Sequence, residues 1–286
     1  MTLTLDEIRQ RAELAAKGEA LFAPEGHTPE TFDELRRKAT EQATGRTVIP
    51  HRGIPGATTG APTRRAGFYK IDGIDMPSVT TILGILAKPA LINWAAKQGA
   101  KAVLKDPVMY DSPQAAAAAI YTIDGEKATD RGIAAHKVAE DYAKAIIKGT
   151  QDKFNSDNPY FPSIKAFFEQ MRPDPVAIEV VLFNSEHQYA GTCDLLAGIG
   201  GKLALIDFKT SKYVYEDMQL QLAAYANCDT GILEDGTRFA AQRPDIQAIV
   251  LLRENGTFLW APLDGDFEAF LAAKTLWLWK QSLNGD

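Results

Sequence analysis

The 286 residues, 45% hydrophobic and 24% charged with a net charge of −6, describe an ordinary globular protein able to bury one large core, not an evenly basic polyanion binder. No apolar run approaches the ~20 residues of a membrane span, and Met1-Thr-Leu-Thr-Leu-Asp-Glu lacks the basic-then-apolar order of a secretion signal. Two cysteines, Cys193 and Cys228, argue against a disulfide framework and exclude a four-cysteine zinc or iron–sulfur site, so a reducing, cytoplasmic setting is expected.

The first 45 residues predict two polar helices, the second starting with Thr28 as N-cap and Pro29 and Glu30 in its first turn. Gly45 to Gly67 reads as a long loop rich in Gly, Pro, Thr and Arg. From Arg36 to Lys70 eight basic residues (Arg36, Arg37, Lys38, Arg46, Arg52, Arg64, Arg65 and Lys70) stand against one acid, Glu41, so this segment is +7 and the remainder −13. A basic arm can touch phosphate while carboxylates elsewhere hold metal ions; a solvated loop fits the same composition. The chain therefore divides into a helical, basic N-terminal extension over 1–66 and a main domain over 67–286.

Phe68 to Met76 predicts a β-hairpin turning at Asp72-Gly73. Helices are expected over Val79 to Ala87, from Pro89, from Ser112-Pro113, from Asp130 to Lys148 with Gly149 after its end, and from Phe161 to Met171. Three strands follow, Ala177 to Phe183, Thr192 to Ile199 and Leu203 to Phe208, the last two joined at Gly200-Gly201. A helix from Glu216 to Asn227, strands over Ile246 to Leu252 and Thr257 to Trp260, and an amphipathic helix from about Phe267 to Leu283 complete the chain. This order implies an α/β fold, a mixed central sheet flanked by helices.

The residues that carry chemistry cluster on the middle strands. Asp207 and Lys209 project to the same side of one strand. With Gly200-Gly201 as the centre of a hairpin, Asp194 faces Asp207. Two carboxylates that close repel unless a cation lies between them, and oxygen ligands of this kind suit Mg²⁺ or Mn²⁺. Asp-x-Lys alone also fits an edge-strand ion pair. His136 and Glu140, spaced i, i+4, share a helix face with Ile133 and Ala143, and the imidazole is placed to complete a metal shell. Glu140 fits equally well as a surface partner of Lys137 or Lys144. Gln219, Gln221 and Tyr225 lie on the helix after the Asp-x-Lys strand, where an amide and a phenol can hold a backbone or stack on a base.

Taken together, His136, Gly191-Thr-Cys-Asp194, Ile206-Asp-Phe-Lys-Thr210 and Gln221-Leu-Ala-Ala-Tyr225 resemble the RecB-like branch of the PD-(D/E)XK nuclease superfamily. Within it the chain looks closest to phage-encoded exonucleases and the mitochondrial genome maintenance exonuclease group. Pro77-Ser-Val-Thr-Thr-Ile-Leu83, Trp94 and Arg131-Gly132 ahead of His136 are similar to that group's upstream pattern, and the resemblance spans about Met76 to Asp229. It implies a restriction-endonuclease-like core with Mg²⁺ or Mn²⁺ and no iron–sulfur cluster. It also implies metal ligation by His136, Asp194, Asp207 and the Phe208 carbonyl, with Lys209 as the catalytic lysine. Gln221 and Tyr225 would contact DNA and Glu179 would stand behind the ligands; apart from the resemblance, Arg64 and Arg65 of the basic segment and Arg131 are expected DNA contacts, and Glu140, on the His136 helix face, is expected behind the ligands. The expected activity is hydrolysis of single- or double-stranded DNA from its ends in phage or bacterial recombination, repair or genome processing. The setting would be a bacterial host cytoplasm away from the membrane, and the partner would be a second copy or a recombination protein. A non-catalytic DNA-binding scaffold and an endonuclease or resolvase are the alternatives.

Overall fold

A computed structural model of the chain describes residues 62–86, 89–105 and 112–283. The two expected N-terminal helices and the basic residues from Arg36 to Arg52 lie outside them. Three short strands, β1 (Thr63–Arg65), β2 (Phe68–Ile71) and β3 (Ile74–Pro77), form a small antiparallel sheet. Asp72-Gly73 takes the positive φ angles of a tight hairpin turn, 53° and 80°. Ala66-Gly67 does the same at 49° and 84°, so Thr63–Arg65, expected as the end of the loop, is a strand. Three residues are too few for alternation to be read.

The segment Pro77-Ser-Val-Thr-Thr fastens this small sheet to the helix after it, α1 (Val79–Leu83). Ser78 Oγ caps the helix by accepting from the Thr81 N–H at 3.1 Å. The Ser78 N–H and the Thr81 hydroxyl both donate to the Gly67 carbonyl, at 2.7 and 3.1 Å. A side chain at Gly67 would collide with that hydroxyl.

Next come α2 (Pro89–Lys105), α3 (Pro113–Ile147) and α4 (Phe161–Met171). The alanine-rich helix and the helix from Asp130 are one 35-residue helix, a correction to the two expected. No proline separates them, and the interior Gly125 and Gly132 each cost only ~1 kcal/mol. The helix ends at Ile147 with Lys148 as its C-cap, and Gly149 follows at a φ of 65°.

The main sheet is built from β4 (Asp174–Asn184), β5 (Tyr189–Ile199), β6 (Lys202–Lys209), β7 (Thr230–Ile232), β8 (Arg238–Ala240), β9 (Ile246–Leu252) and β10 (Phe258–Pro262). Their order is β10-β9-β6-β5-β4-β7-β8, antiparallel throughout except for the β6–β9 pair. β7 and β8, three residues each, went unforeseen for the same reason as β1. Helix α5 (Glu216–Ala226) lies in the crossover between the parallel strands, and α6 (Phe267–Leu283) closes the chain.

Alternation along the strands sends one set of apolar residues to each face. Leu182, Leu205, Ile249 and Leu251 pack with α1, α5 and α6. Leu195, Ile206, Phe208 and Val250 pack with α3 and α4. Helix α6 buries Phe270, Ala273 and Trp277 along one stripe yet exposes Leu276, Leu278, Trp279 and Leu283, so its apolar residues are not confined to the buried face. The molecule is thus a mixed α/β fold, a seven-stranded sheet with helices on both faces. Among the described residues no helix is long and apolar enough to cross a membrane.

Candidate metal centre

The Gly200-Gly201 turn, with φ angles of 57° and 77°, sets the β5–β6 register from Ile199↔Lys202 to Leu195↔Ile206. Asp194 and Asp207 follow directly beyond the last paired residues, Leu195 and Ile206, and Asp194 Oδ2 accepts from the Phe208 N–H. On the other side, Ile178↔Leu195 and Val180↔Cys193 bracket Glu179, which puts it level with Asp194. Three neighbouring strands therefore present a carboxylate at one height. Glu179 sits mid-strand with a φ of 49°, a conformation costing about 1–3 kcal/mol for a residue with a Cβ.

His136 reaches this row from α3, its Nδ1 3.2 Å from Asp194 Oδ1. Ligand atoms of His136, Glu179 and Asp194 all lie within 4.8 Å of one another, a group that could hold a metal ion. Glu179 thus joins His136 and Asp194 at the front of the site, where it was expected to stand behind them; the left-handed backbone at this position has no sequence signature in a non-glycine residue. Asp207 is held differently. Its Oδ1 accepts from Gln221 Nε2 at 3.0 Å, and its Oδ2 is the ion partner of Lys209.

The charges explain the titration. Burial pushes Asp207 up to about 6, with the Lys209 ammonium opposing and Asp194 adding to the shift. Burial and the Asp194 charge raise Glu179 to about 7. Burial would also raise Asp194, but the charge and hydrogen bond of His136, Lys209 and the Phe208 N–H, 2.7 Å from Oδ2, hold it below the usual range. Burial disfavours the His136 imidazolium, but Asp194 outweighs it and lifts the group to about 9. Burial and mutual repulsion raise both Glu179 and Asp207, and a cation bound among these carboxylates would relieve that repulsion.

Gln221 donates to Asp207 and, at 2.9 Å, to the Tyr225 hydroxyl. Both residues are buried. The Tyr225 ring lies over Gly191, where any side chain would collide with it. Gln221 therefore fixes the Asp207 carboxylate, a helix-to-strand contact across 14 residues that i, i+4 spacing does not announce. Gln221→Leu keeps the volume but leaves Asp207 Oδ1 without its donor. Under the function proposed below, turnover on DNA is expected to fall roughly 10- to 100-fold with KM changed less than about twofold. Steady-state kinetics checks this, because loss of a direct DNA contact would instead raise KM.

The other expected residues are spread more widely. Glu140 pairs with Lys137 at 3.1 Å and Lys144 at 2.6 Å, the surface role weighed for it, while still lining the pocket. Arg131 is exposed and lies against the Tyr160 hydroxyl, outside the pocket. Gln219 turns away and donates to the Asp264 carbonyl. Phe208 buries its ring edge-on against Phe167 and meets Asp194 through its backbone N–H. Arg64 lines the pocket and Arg65 does not. No family model matches this sequence, and no curated protein matches it.

Proposed function

We propose that the protein is a metal-dependent deoxyribonuclease with a PD-(D/E)XK core, acting as an exonuclease on DNA ends. The observation that carries this reading is the row Glu179, Asp194, Asp207 on three adjacent strands, with His136 above it and Lys209 paired to Asp207. A purely structural sheet has no use for three carboxylates at one level in a pocket. His136, Glu179 and Asp194 would hold the cation, with Asp207, paired to Lys209, beside them. Carboxylate-rich sites of this kind suit Mg²⁺ or Mn²⁺.

When bound, such a cation neutralises phosphate charge and lowers the pKa of a water to make a nucleophile. The chain's residues do the rest. Asp194, kept ionised by His136 and the Phe208 N–H, anchors the arrangement. Gln221 holds Asp207 in place. The Lys209 ammonium, 22% exposed at its side chain, faces the pocket where charge develops on the phosphoryl oxygens.

A cleavage assay in Mg²⁺, Mn²⁺ and EDTA tests this, with linear single-stranded, linear double-stranded and closed circular DNA. Loss of linear DNA alone, dependent on metal and absent in Asp207→Ala, is the expected result. Cutting of closed circles would make the protein an endonuclease. No cleavage of any substrate would overturn the reading in favour of a binding role.

A further inference from the structure

Besides His136, the basic side chains that line the pocket among the described residues are Lys209, Lys137 and Arg64. Lys209 is matched by Asp207, and Lys137 by Glu140 and Asp141 at 3.1 and 2.8 Å. Arg64 meets no carboxylate among the described residues. Its guanidinium carbon lies 5.6 Å from the centre of the Tyr69 ring, within cation–π range. Tyr69 is itself fixed, 3% exposed, with its hydroxyl 2.9 Å from Thr192 Oγ1, two residues before Asp194.

The strand under Arg64 is equally constrained. Arg64 is directly opposite Tyr69 in the β1–β2 ladder, and the turn joining these strands is tied at Gly67 to Ser78 and Thr81. Arg65 is opposite Phe68, on the other face of the ribbon, where the Phe68 ring is 6.0 Å from Trp277. The two adjacent arginines therefore serve different surfaces. A guanidinium stacked on an aromatic ring keeps its N–H edges for a planar fork onto phosphate oxygens.

We propose that Arg64, braced on Tyr69, seats a backbone phosphodiester of the DNA strand neighbouring the one held over the carboxylate row. This rests on the nuclease reading and adds to it a specific phosphate subsite. The geometry assigns the subsite to Arg64 alone, so equal charge at position 65 does not substitute for it. The contact is to the backbone, so the effect is independent of base sequence.

Binding of a labelled DNA oligonucleotide to the full-length protein in EDTA, followed by fluorescence anisotropy over a series of salt concentrations, tests the proposal. Arg64→Ala is expected to weaken binding roughly tenfold and to reduce the salt dependence by about one released counterion. Arg64→Lys keeps the charge but not the stacked fork, and should recover only part of the affinity. Arg65→Ala should show a loss several-fold smaller. Equal losses in Arg64→Ala and Arg65→Ala, or none in either, would overturn the subsite while metal-dependent cleavage by the wild type still supports the nuclease reading. A wild-type protein that binds no DNA at any salt concentration would overturn both.

Discussion

Lys209→Met is expected to lower the rate of DNA cleavage by roughly 10²–10³-fold while leaving DNA affinity within a fewfold of wild type. Two effects act together. The pocket loses the ammonium facing the developing phosphoryl charge. Asp207, already raised to about 6, also loses the cation that opposes its burial, so more of it is protonated at neutral pH and a poorer partner for metal. Single-turnover cleavage at saturating protein, beside a binding measurement in EDTA, separates chemistry from association. A raised pH should recover part of the lost rate as Asp207 ionises, and none of the part owed to the ammonium. A Lys209→Met rate within about tenfold of wild type would remove Lys209 from the mechanism.

The parts of this site that are legible in the sequence are those set by local rules. Gly200-Gly201 accepts two positive φ angles, which fixes the hairpin centre and pairs Leu195 with Ile206, the residues next to Asp194 and Asp207. The same reasoning places Asp207 and Lys209 on one side of β6. What could not be read depends on backbone or tertiary detail. Glu179 points into the site because of a left-handed residue in the middle of β4, and nothing about a glutamate in Ile-Glu-Val-Val announces that. Gln221 has the right spacing to Tyr225 along its helix, but its bond to Asp207 exists only because α5 folds back over β6. Arg64 and Arg65 look equivalent as charge, and only the pairing of β1 with β2 separates them. The fold follows the same division: long elements with clear periodicity are recovered, whereas β1, β7 and β8 are held by neighbours and not by a pattern of their own.

The left-handed Glu179 also implies that the site is held against the stability of the sheet. Glu179→Gly removes the steric cost of its positive φ and a carboxylate that burial disfavours, at the smaller cost of a freer unfolded chain. In EDTA near neutral pH the variant should melt roughly 3–8 °C above wild type, and it should have lost most of the stabilisation that Mn²⁺ gives the wild type. The pH dependence carries the same signature. Glu179 is raised from 4.5 to about 7, Asp207 from 3.8 to about 6 and His136 from 6.5 to about 9. A group raised on folding adds stability below its unfolded pKa and loses that contribution as pH climbs through its folded value. All three therefore weaken the metal-free protein between about pH 4 and 9; Asp194, shifted downward, acts oppositely and only below about pH 4. Wild type in EDTA should melt lower at about pH 7.5 than at about pH 5, and Glu179→Gly should flatten that decline because its share falls between about 4.5 and 7. Mn²⁺ should raise the wild-type melting temperature more at the higher pH, where the ligands have lost their protons. A variant that melts below wild type in EDTA, with an undiminished Mn²⁺ response, would show that Glu179 supports the sheet and holds no metal.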